Sequence, residues 1–216
     1  TNRKLKLMKK LLLGLCTTLL VIATQAQETL VEEVPSPVDY VNPLMGTDSS
    51  PGLSNGNTYP AVAVPWGMNF WTPQTGPMGH GWAYTYNADK IRGFKQTHQP
   101  SPWMNDYGQF SLMPVTGGMK FNQDDRASWF SHKAEESTPY YYKVYLADHD
   151  VTVELTPTER AAQFKMTFPK ADSSYVVIDP FDKGSYVKVI PEENKIIGYT
   201  TKYARGRLTN FKNYFV

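Results

Sequence analysis

Cysteine is almost missing from this sequence: one residue, Cys16, in 216. A disulfide framework and a Cys-ligated zinc site are therefore excluded. An excess of one charge is missing too. Lys and Arg number 22 against 20 Asp and Glu, and five of the basic residues (Arg3, Lys4, Lys6, Lys9 and Lys10) precede residue 27, which leaves 17 basic and 20 acidic residues after it. A nucleic-acid surface needs clustered Lys and Arg to displace counterions, so no nucleic-acid partner is expected. There is no P-loop, no Gly-rich dinucleotide fingerprint, no His-Glu-x-x-His helix and no Gly-x-Ser-x-Gly elbow. The four histidines, His80, His98, His132 and His149, are scattered without metal-ligand spacing, and no metal ligand is assigned. What remains is a globular composition. With 41% hydrophobic and 13% aromatic residues the chain can bury a core, and its 16 prolines and 15 glycines, scattered through it, mark a turn-rich, mostly β protein.

The first 26 residues read as an address. The basic cluster above precedes an apolar run, Leu11 to Ala23, interrupted only by Gly14, Thr17 and Thr18. That run falls short of the roughly 20 residues needed to cross a bilayer. Thr24-Gln25-Ala26 offers small residues to a signal peptidase, so cleavage is expected after Ala26, with Met8 the initiator and residues 1–7 upstream of it. No transmembrane segment is expected in the mature chain. Cys16 follows Leu15, whereas a lipoprotein signal wants a small residue there, so lipidation is not expected. The protein is expected to leave the cytoplasm.

Residues 27–37, acidic and twice interrupted by proline, read as a linker, and the folded domain is expected over 38–216. From Asn42 to about Pro114 the chain is dense in Gly, Pro, Asn and aromatics and reads as loop-rich. From Tyr140 onward it alternates. Ala162, Phe164, Met166 and Phe168 are spaced by Gln163, Lys165 and Thr167, the period-two pattern of a half-buried strand. Tyr141 to Leu146 joins Val151, Val153 and Leu155 through Ala147-Asp148-His149-Asp150, a hairpin turn. Further strands are expected at Tyr175 to Ile178, Tyr186 to Ile190, Ile196 to Tyr203 and Leu208 to Val216. Short strands at this spacing predict an antiparallel β-sandwich. The last of them ends at Val216 without turn or polar tail, which predicts a domain incomplete at its C-terminal end.

Four of the five tryptophans, Trp66, Trp71, Trp82 and Trp103, fall between residues 66 and 103, among Gly and Pro. Near them lie His98, Asn105 and Asp106. Aromatic faces stack on the C–H groups of a pyranose while carboxylate, amide and imidazole groups bond its hydroxyls, so this cluster suits sugar recognition. Each member has a structural alternative. The rings can form a loop-side core, Asp106 can brace the turn Asn105-Asp106-Tyr107-Gly108, and His98 can be a satisfied structural histidine.

Four blocks in series carry a resemblance. Tyr40-Val41-Asn42-Pro43-Leu44-Met45-Gly46-Thr47, Gly56-Asn57-Thr58-Tyr59-Pro60, Val64-Pro65-Trp66-Gly67-Met68, and Ile91-Arg92-Gly93-Phe94-Lys95-Gln96-Thr97-His98-Gln99-Pro100-Ser101-Pro102-Trp103 with Asp106-Tyr107-Gly108 resemble the N-terminal domain of the glycoside hydrolase family 92 α-mannosidases. The resemblance implies an exported, calcium-dependent, inverting exo-hydrolase that trims terminal α-mannosides from N-glycans or mannan. It also implies an N-terminal β-sandwich packed on an (α/α)6 barrel, with the active site between them. That barrel, the expected partner in cis, carries the acid and base carboxylates and most of the calcium site. No catalytic residue and no metal ligand is therefore assigned within this chain, which alone is expected to be inactive.

The resemblance makes His98, Trp103 and Asp106 the leading substrate contacts, with Trp71 and Trp82 behind them and Asn57 bracing the loop. The run Thr97-His98-Gln99-Pro100-Ser101-Pro102-Trp103 departs from the Ser-His-x-His-x-Ser-Gly form of many members, so linkage preference does not transfer. Two readings from other classes stand beside the enzyme: a non-catalytic carbohydrate-binding β-sandwich module and a structural outer-surface sandwich.

Overall fold

The computed structural model describes residues 2–4, 6, 9–10, 35–48, 58–77, 83–98, 110–180, 184–201 and 210–216. The chain divides into two compact units, 1–36 and 37–216. Residues 2–4, 6 and 9–10 of the first are helical and exposed. No helix among the described residues is long and apolar enough to cross a membrane.

The second unit is built from β1 (Phe70–Gln74), β2 (Lys90–Ile91), β3 (Gly93–Thr97), β4 (Ser111–Thr116), β5 (Ser128–Trp129), β6 (Glu136–Thr138), β7 (Tyr141–Leu146), β8 (Val151–Pro157), β9 (Ala162–Thr167), β10 (Ser174–Asp179), β11 (Tyr186–Ile190), β12 (Lys195–Thr200) and β13 (Asn213–Phe215). One four-stranded sheet runs β1-β3-β4-β10 and a second runs β6-β7-β8-β9. A three-stranded sheet, β11-β12-β13, and the short pair β2-β5 complete the set, and the described pairings are all antiparallel.

Alternation builds the second sheet. Tyr142, Val144 and Leu146 of β7 and Val151, Val153 and Leu155 of β8 are buried, while Lys143 and Tyr145 between them face water. On the solvent side Glu154 stands opposite Lys165 and pairs with it at 2.7 Å, and Tyr141 donates to the same carboxylate at 2.9 Å. The buried face meets the first sheet. Phe94 of β3 packs edge-on against Tyr142 and Phe164, and Trp71 of β1 against Phe164 at 4.9 Å. Each such side chain contributes about 1.5–3 kcal/mol by leaving water, and together they make the core of a β-sandwich. The third sheet reaches this core through Phe215, stacked on Phe110 at 4.5 Å.

The stretch from Asn42 to Pro114 holds more strand than its composition suggests. β1, β2, β3 and part of β4 lie there, and β1 and β3 are buried at four of their five positions each. A strand buried on both faces shows no period of two, and Pro73 and Gly93 disguise these further. Space favours glycine at 93: a Cβ there would run into Ser111 Oγ and lie 3.1 Å from the Leu112 carbonyl.

Polar side chains lock the connections. Arg126, 1% exposed, donates to the Arg92 carbonyl, the Phe121 carbonyl and the Asp179 carboxylate at 3.0, 2.8 and 2.8 Å. The turn 147–150 joins β7 to β8, with Asp150 in the left-handed region. Its His149 is also 1% exposed. The Thr116 amide faces His149 Nδ1 at 3.4 Å and the Arg126 carbonyl faces Nε2 at 2.8 Å, so the ring is neutral with its proton on Nε2.

Candidate functional site

Asn42 opens the first motif as an Asx turn, its Oδ1 accepting from the Leu44 amide at 3.0 Å while the Met45 amide returns to the Asn42 carbonyl. Gly46 follows at φ 81°, a left-handed position that suits glycine. Thr47 Oγ1 donates to the Leu44 carbonyl at 2.7 Å and closes the turn.

This turn is tied to the rims of three segments, 49–57, 78–82 and 99–109, which lie outside the described residues. Thr58 donates through Oγ1 to the Met45 carbonyl at 2.9 Å and through its amide to Gly46 at 3.4 Å. Its neighbour Tyr59, 6% exposed, shares a 2.7 Å hydrogen bond with Thr97 Oγ1 at the end of β3. The Tyr86 amide donates to the Thr47 carbonyl at 3.1 Å, and Asn87 Nδ2 to Asp48. Thr75 donates its amide to Ala83 and accepts from the Thr85 amide at 2.9 Å. The described ends of all three segments therefore belong to one hydrogen-bonded assembly, rooted on β1 and β3.

Beneath it the first sheet is polar. Thr72, Lys95 and Ser111, all 1% exposed or less, stand in register across β1, β3 and β4. Gln74 and Thr97 are buried beside them. Of this set Thr97 Oγ1 bonds Tyr59 and Gln74 Nε2 donates to the Gly76 carbonyl at 2.9 Å, while Gln74 Oε1 and Ser111 Oγ are buried without a hydrogen-bond partner.

A second knot adjoins the first. The Glu135 carboxylate, 0% exposed, accepts from Tyr142 OH at 2.6 Å, from Tyr84 OH at 3.0 Å and from His132 Nδ1 at 2.5 Å. His132 Nε2 bonds the Tyr86 carbonyl at 2.6 Å, and the Tyr86 ring stacks on the imidazole at 3.9 Å. Both ring nitrogens are thus engaged, Nδ1 with Glu135 and Nε2 with the Tyr86 carbonyl. Burial, and next the adjacent Glu135, raise the pKa of Tyr84 and Tyr142 well above the ordinary phenol value, so both stay donors. Two surface depressions meet at Tyr86. One of about 530 Å3 is lined by Asn42, Leu44, Met45, Gly46, Asp48 and Tyr86; the other, about 410 Å3, runs from Tyr86 to Asp89 and from Phe130 to Lys133. Each is in the size range of a small-molecule site, roughly 300–1,000 Å3.

The residues expected to touch sugar are distributed unevenly. His98 is half-buried, directly after Thr97 in the assembly. Trp71 is a core residue: 5% exposed, its indole N–H donates to Asn69 Oδ1 at 2.6 Å and the edges of Phe110 and Phe164 close on its ring. Asn57, Trp82, Trp103 and Asp106 lie outside the described residues. Sequence reasoning missed Tyr84, Tyr86, His132 and Glu135. The only available signal was the i,i+3 spacing of His132 and Glu135 beside a Tyr-x-Tyr pair. Calcium takes six to eight oxygen ligands. Among the described residues no three His, Cys, Asp or Glu side chains gather into a group that could hold a metal ion.

The description Glycosyl hydrolase family 92 N-terminal domain matches residues 40–216. The chain belongs to glycosyl hydrolase family 92. Its fold is similar to that of the inverting mannosidase BT2199 from Bacteroides thetaiotaomicron VPI-5482, with 50% identity and a TM-score of 0.77 over 84% of this chain and 25% of that one. It is also similar to the family 92 α-mannosidase BT3965 from Bacteroides thetaiotaomicron, at 29% identity and TM-score 0.60, over 77% of this chain and 23% of that one. A structure of BT3965 in complex with mannoimidazole matches at 30% identity and TM-score 0.58, over 75% and 22%. The family 92 chain therefore spans about a quarter of the length of these solved relatives. No curated protein matches it.

Proposed function

We propose that this chain is the N-terminal domain of an exported exo-α-mannosidase that hydrolyses terminal α-mannosides with inversion. Its part is to supply one wall of the sugar pocket, while the two carboxyl groups come from a helical domain in the same polypeptide. The observation that carries the reading is the 50% identity to the inverting mannosidase BT2199 across 84% of the chain. The binding of mannoimidazole by BT3965 supports a mannose-type ligand.

An inverting hydrolase needs an acid to protonate the departing oxygen and a base, roughly 6.5–9.5 Å away, to activate a water on the opposite face of the ring. In this scheme the chain contributes position. The assembly joining Gly46, Thr58, Thr97 and Tyr86 holds the described loop rims, and His98, Trp103 and Asp106 are assigned as the sugar contacts. Calcium bound to the complete enzyme would supply a cation to orient the sugar hydroxyls.

The test is to express the complete polypeptide encoded by the gene and follow the anomer released from α-linked mannobioses by proton NMR, with and without a chelator. Release of β-mannose as first product is expected, with loss of activity on chelation. Retained configuration or no mannose release overturns the mechanism; activity indifferent to the chelator overturns the calcium dependence. Trp103→Ala and His98→Ala in that polypeptide are expected to raise KM for mannosides, and unchanged KM and kcat in both would remove this chain from the sugar site.

A further inference from the structure

The turn Val64-Pro65-Trp66-Gly67 is closed by a 3.0 Å hydrogen bond from the Gly67 amide to the Val64 carbonyl. Pro65 occupies its second position and Trp66, at φ 64°, its third. That is a type II turn, whose third position calls for glycine or asparagine. A tryptophan there is strained, and its side chain is 99% exposed. Local strain persists only where the surroundings over-determine it, and here they do. The Ala63 amide donates to Pro139 at 2.9 Å and the Met68 amide to Glu159 at 2.7 Å, so the turn is fixed between two others, at 139–140 and 158–161. Gly67 itself tolerates little in place of its hydrogen, since a Cβ there would meet the Val64 carbonyl at 3.1 Å and Val64 Cγ2 at 3.2 Å.

These three turns display Trp66, Met68 at 66% exposure and Tyr140 at 46%, with Arg160 exposed beside them. Trp, Tyr, Met and Arg are the residues enriched at the centres of protein interfaces, and a rigid indole loses little entropy when it docks. We propose that the Trp66 turn is the docking point for the remainder of the same polypeptide, which receives the indole in an apolar recess with Met68 and Tyr140 around it. The occupant is argued from length: the match covers 25% of BT2199, so a polypeptide of that length would carry about three times as much chain in cis. This rests on the reading above that the chain is one domain of a longer enzyme.

The experiment is hydroxyl-radical footprinting of the 216-residue chain and of the complete polypeptide, read at Trp66 and Met68 by mass spectrometry, alongside mannoside hydrolysis on the same samples. Both residues are expected to label readily in the short chain and several-fold more slowly in the complete polypeptide. Equal labelling in the two overturns the proposal, as does a gene that encodes no further domain. Protection without hydrolysis leaves the docking surface standing and removes the mannosidase reading; hydrolysis without protection does the reverse. Protection of the short chain on raising its concentration would assign the turn to self-association, and protection on adding mannooligosaccharide would assign it to sugar; either overturns docking in cis. Trp66→Asn, which relieves the left-handed strain, is expected to keep or raise the thermal midpoint of the short chain while making the complete polypeptide several-fold more sensitive to protease. A complete polypeptide as resistant as wild type would overturn the proposal.

Discussion

Tyr142 donates a hydrogen bond from its hydroxyl to the buried carboxyl group of Glu135 across 2.6 Å, joining β7, an inner strand of its sheet, to the residue just before β6. Tyr84 arrives at the same carboxylate from a chain segment 51 residues away. Strand, loop and the segment following 78–82 are thus fixed at one point.

Tyr142→Phe is expected to cost about 1.5–3 kcal/mol, the range for a hydrogen bond to a charged acceptor. Tyr84→Phe, whose bonds are longer, is expected to cost less. Urea titration of each variant measures both, and a Tyr142→Phe midpoint equal to wild type would show that the bond contributes nothing net.

The same two phenols make stability sensitive to alkali. Their folded pKa values are raised, by burial first and by Glu135 next. In the unfolded chain they ionise near pH 10. The stability they lend is therefore complete below about pH 10 and is lost as pH rises beyond it, because only the unfolded state releases the protons. Urea midpoints at about pH 8 and pH 11 should show a fall in wild type that is shallower in the double variant Tyr84→Phe, Tyr142→Phe. Parallel falls in the two proteins would sink the assignment.

Gly198 sits where β12 is crowded from both sides: a Cβ there would lie 2.4 Å from the Tyr186 carbonyl and 2.4 Å from Phe215 Cζ. Gly198→Ala is expected to destabilise by about 1–3 kcal/mol, the usual range for an overpacked site. Amide exchange should quicken in β11–β13 and stay unchanged in β7–β8. Uniform quickening would mean that the small sheet is not a separate cooperative unit.

Trp71→Ala should behave as a core deletion and cost about 3–5 kcal/mol. Calorimetry reads the loss. A variant of wild-type stability would return Trp71 to the list of sugar contacts.

The legible part of the fold was the part with one wet face. Tyr141 to Leu146, Val151 to Leu155 and Ala162 to Thr167 alternate because one side packs on Phe94 and the other carries Lys143, Glu154 and Lys165. β1 and β3 were illegible for the opposite reason, since Thr72, Gln74 and Lys95 are buried on the face where alternation expects solvent. The site motifs around Asn42 and Gly46 were legible only through the family resemblance, and the Glu135 knot was not legible at all. Its four members come from residues 84, 132, 135 and 142, and only the crossing of a loop over β7 makes them neighbours. Trp71 misled because a tryptophan among prolines looks like a loop residue, and nothing local announces the bridge that pairs it with Val62.

The neutral ring of His149 also has a kinetic meaning. The β7–β8 hairpin can form from neighbouring residues, but its turn gains the Thr116 amide and the Arg126 carbonyl only when segments 33 and 23 residues away arrive. Local pairing is fast and long-range closure slow, so the hairpin is born with an unfinished tip. Pulse-labelled exchange at the Thr116 amide would then time the moment at which the two halves of the sandwich meet, separately from the zipping of any single strand.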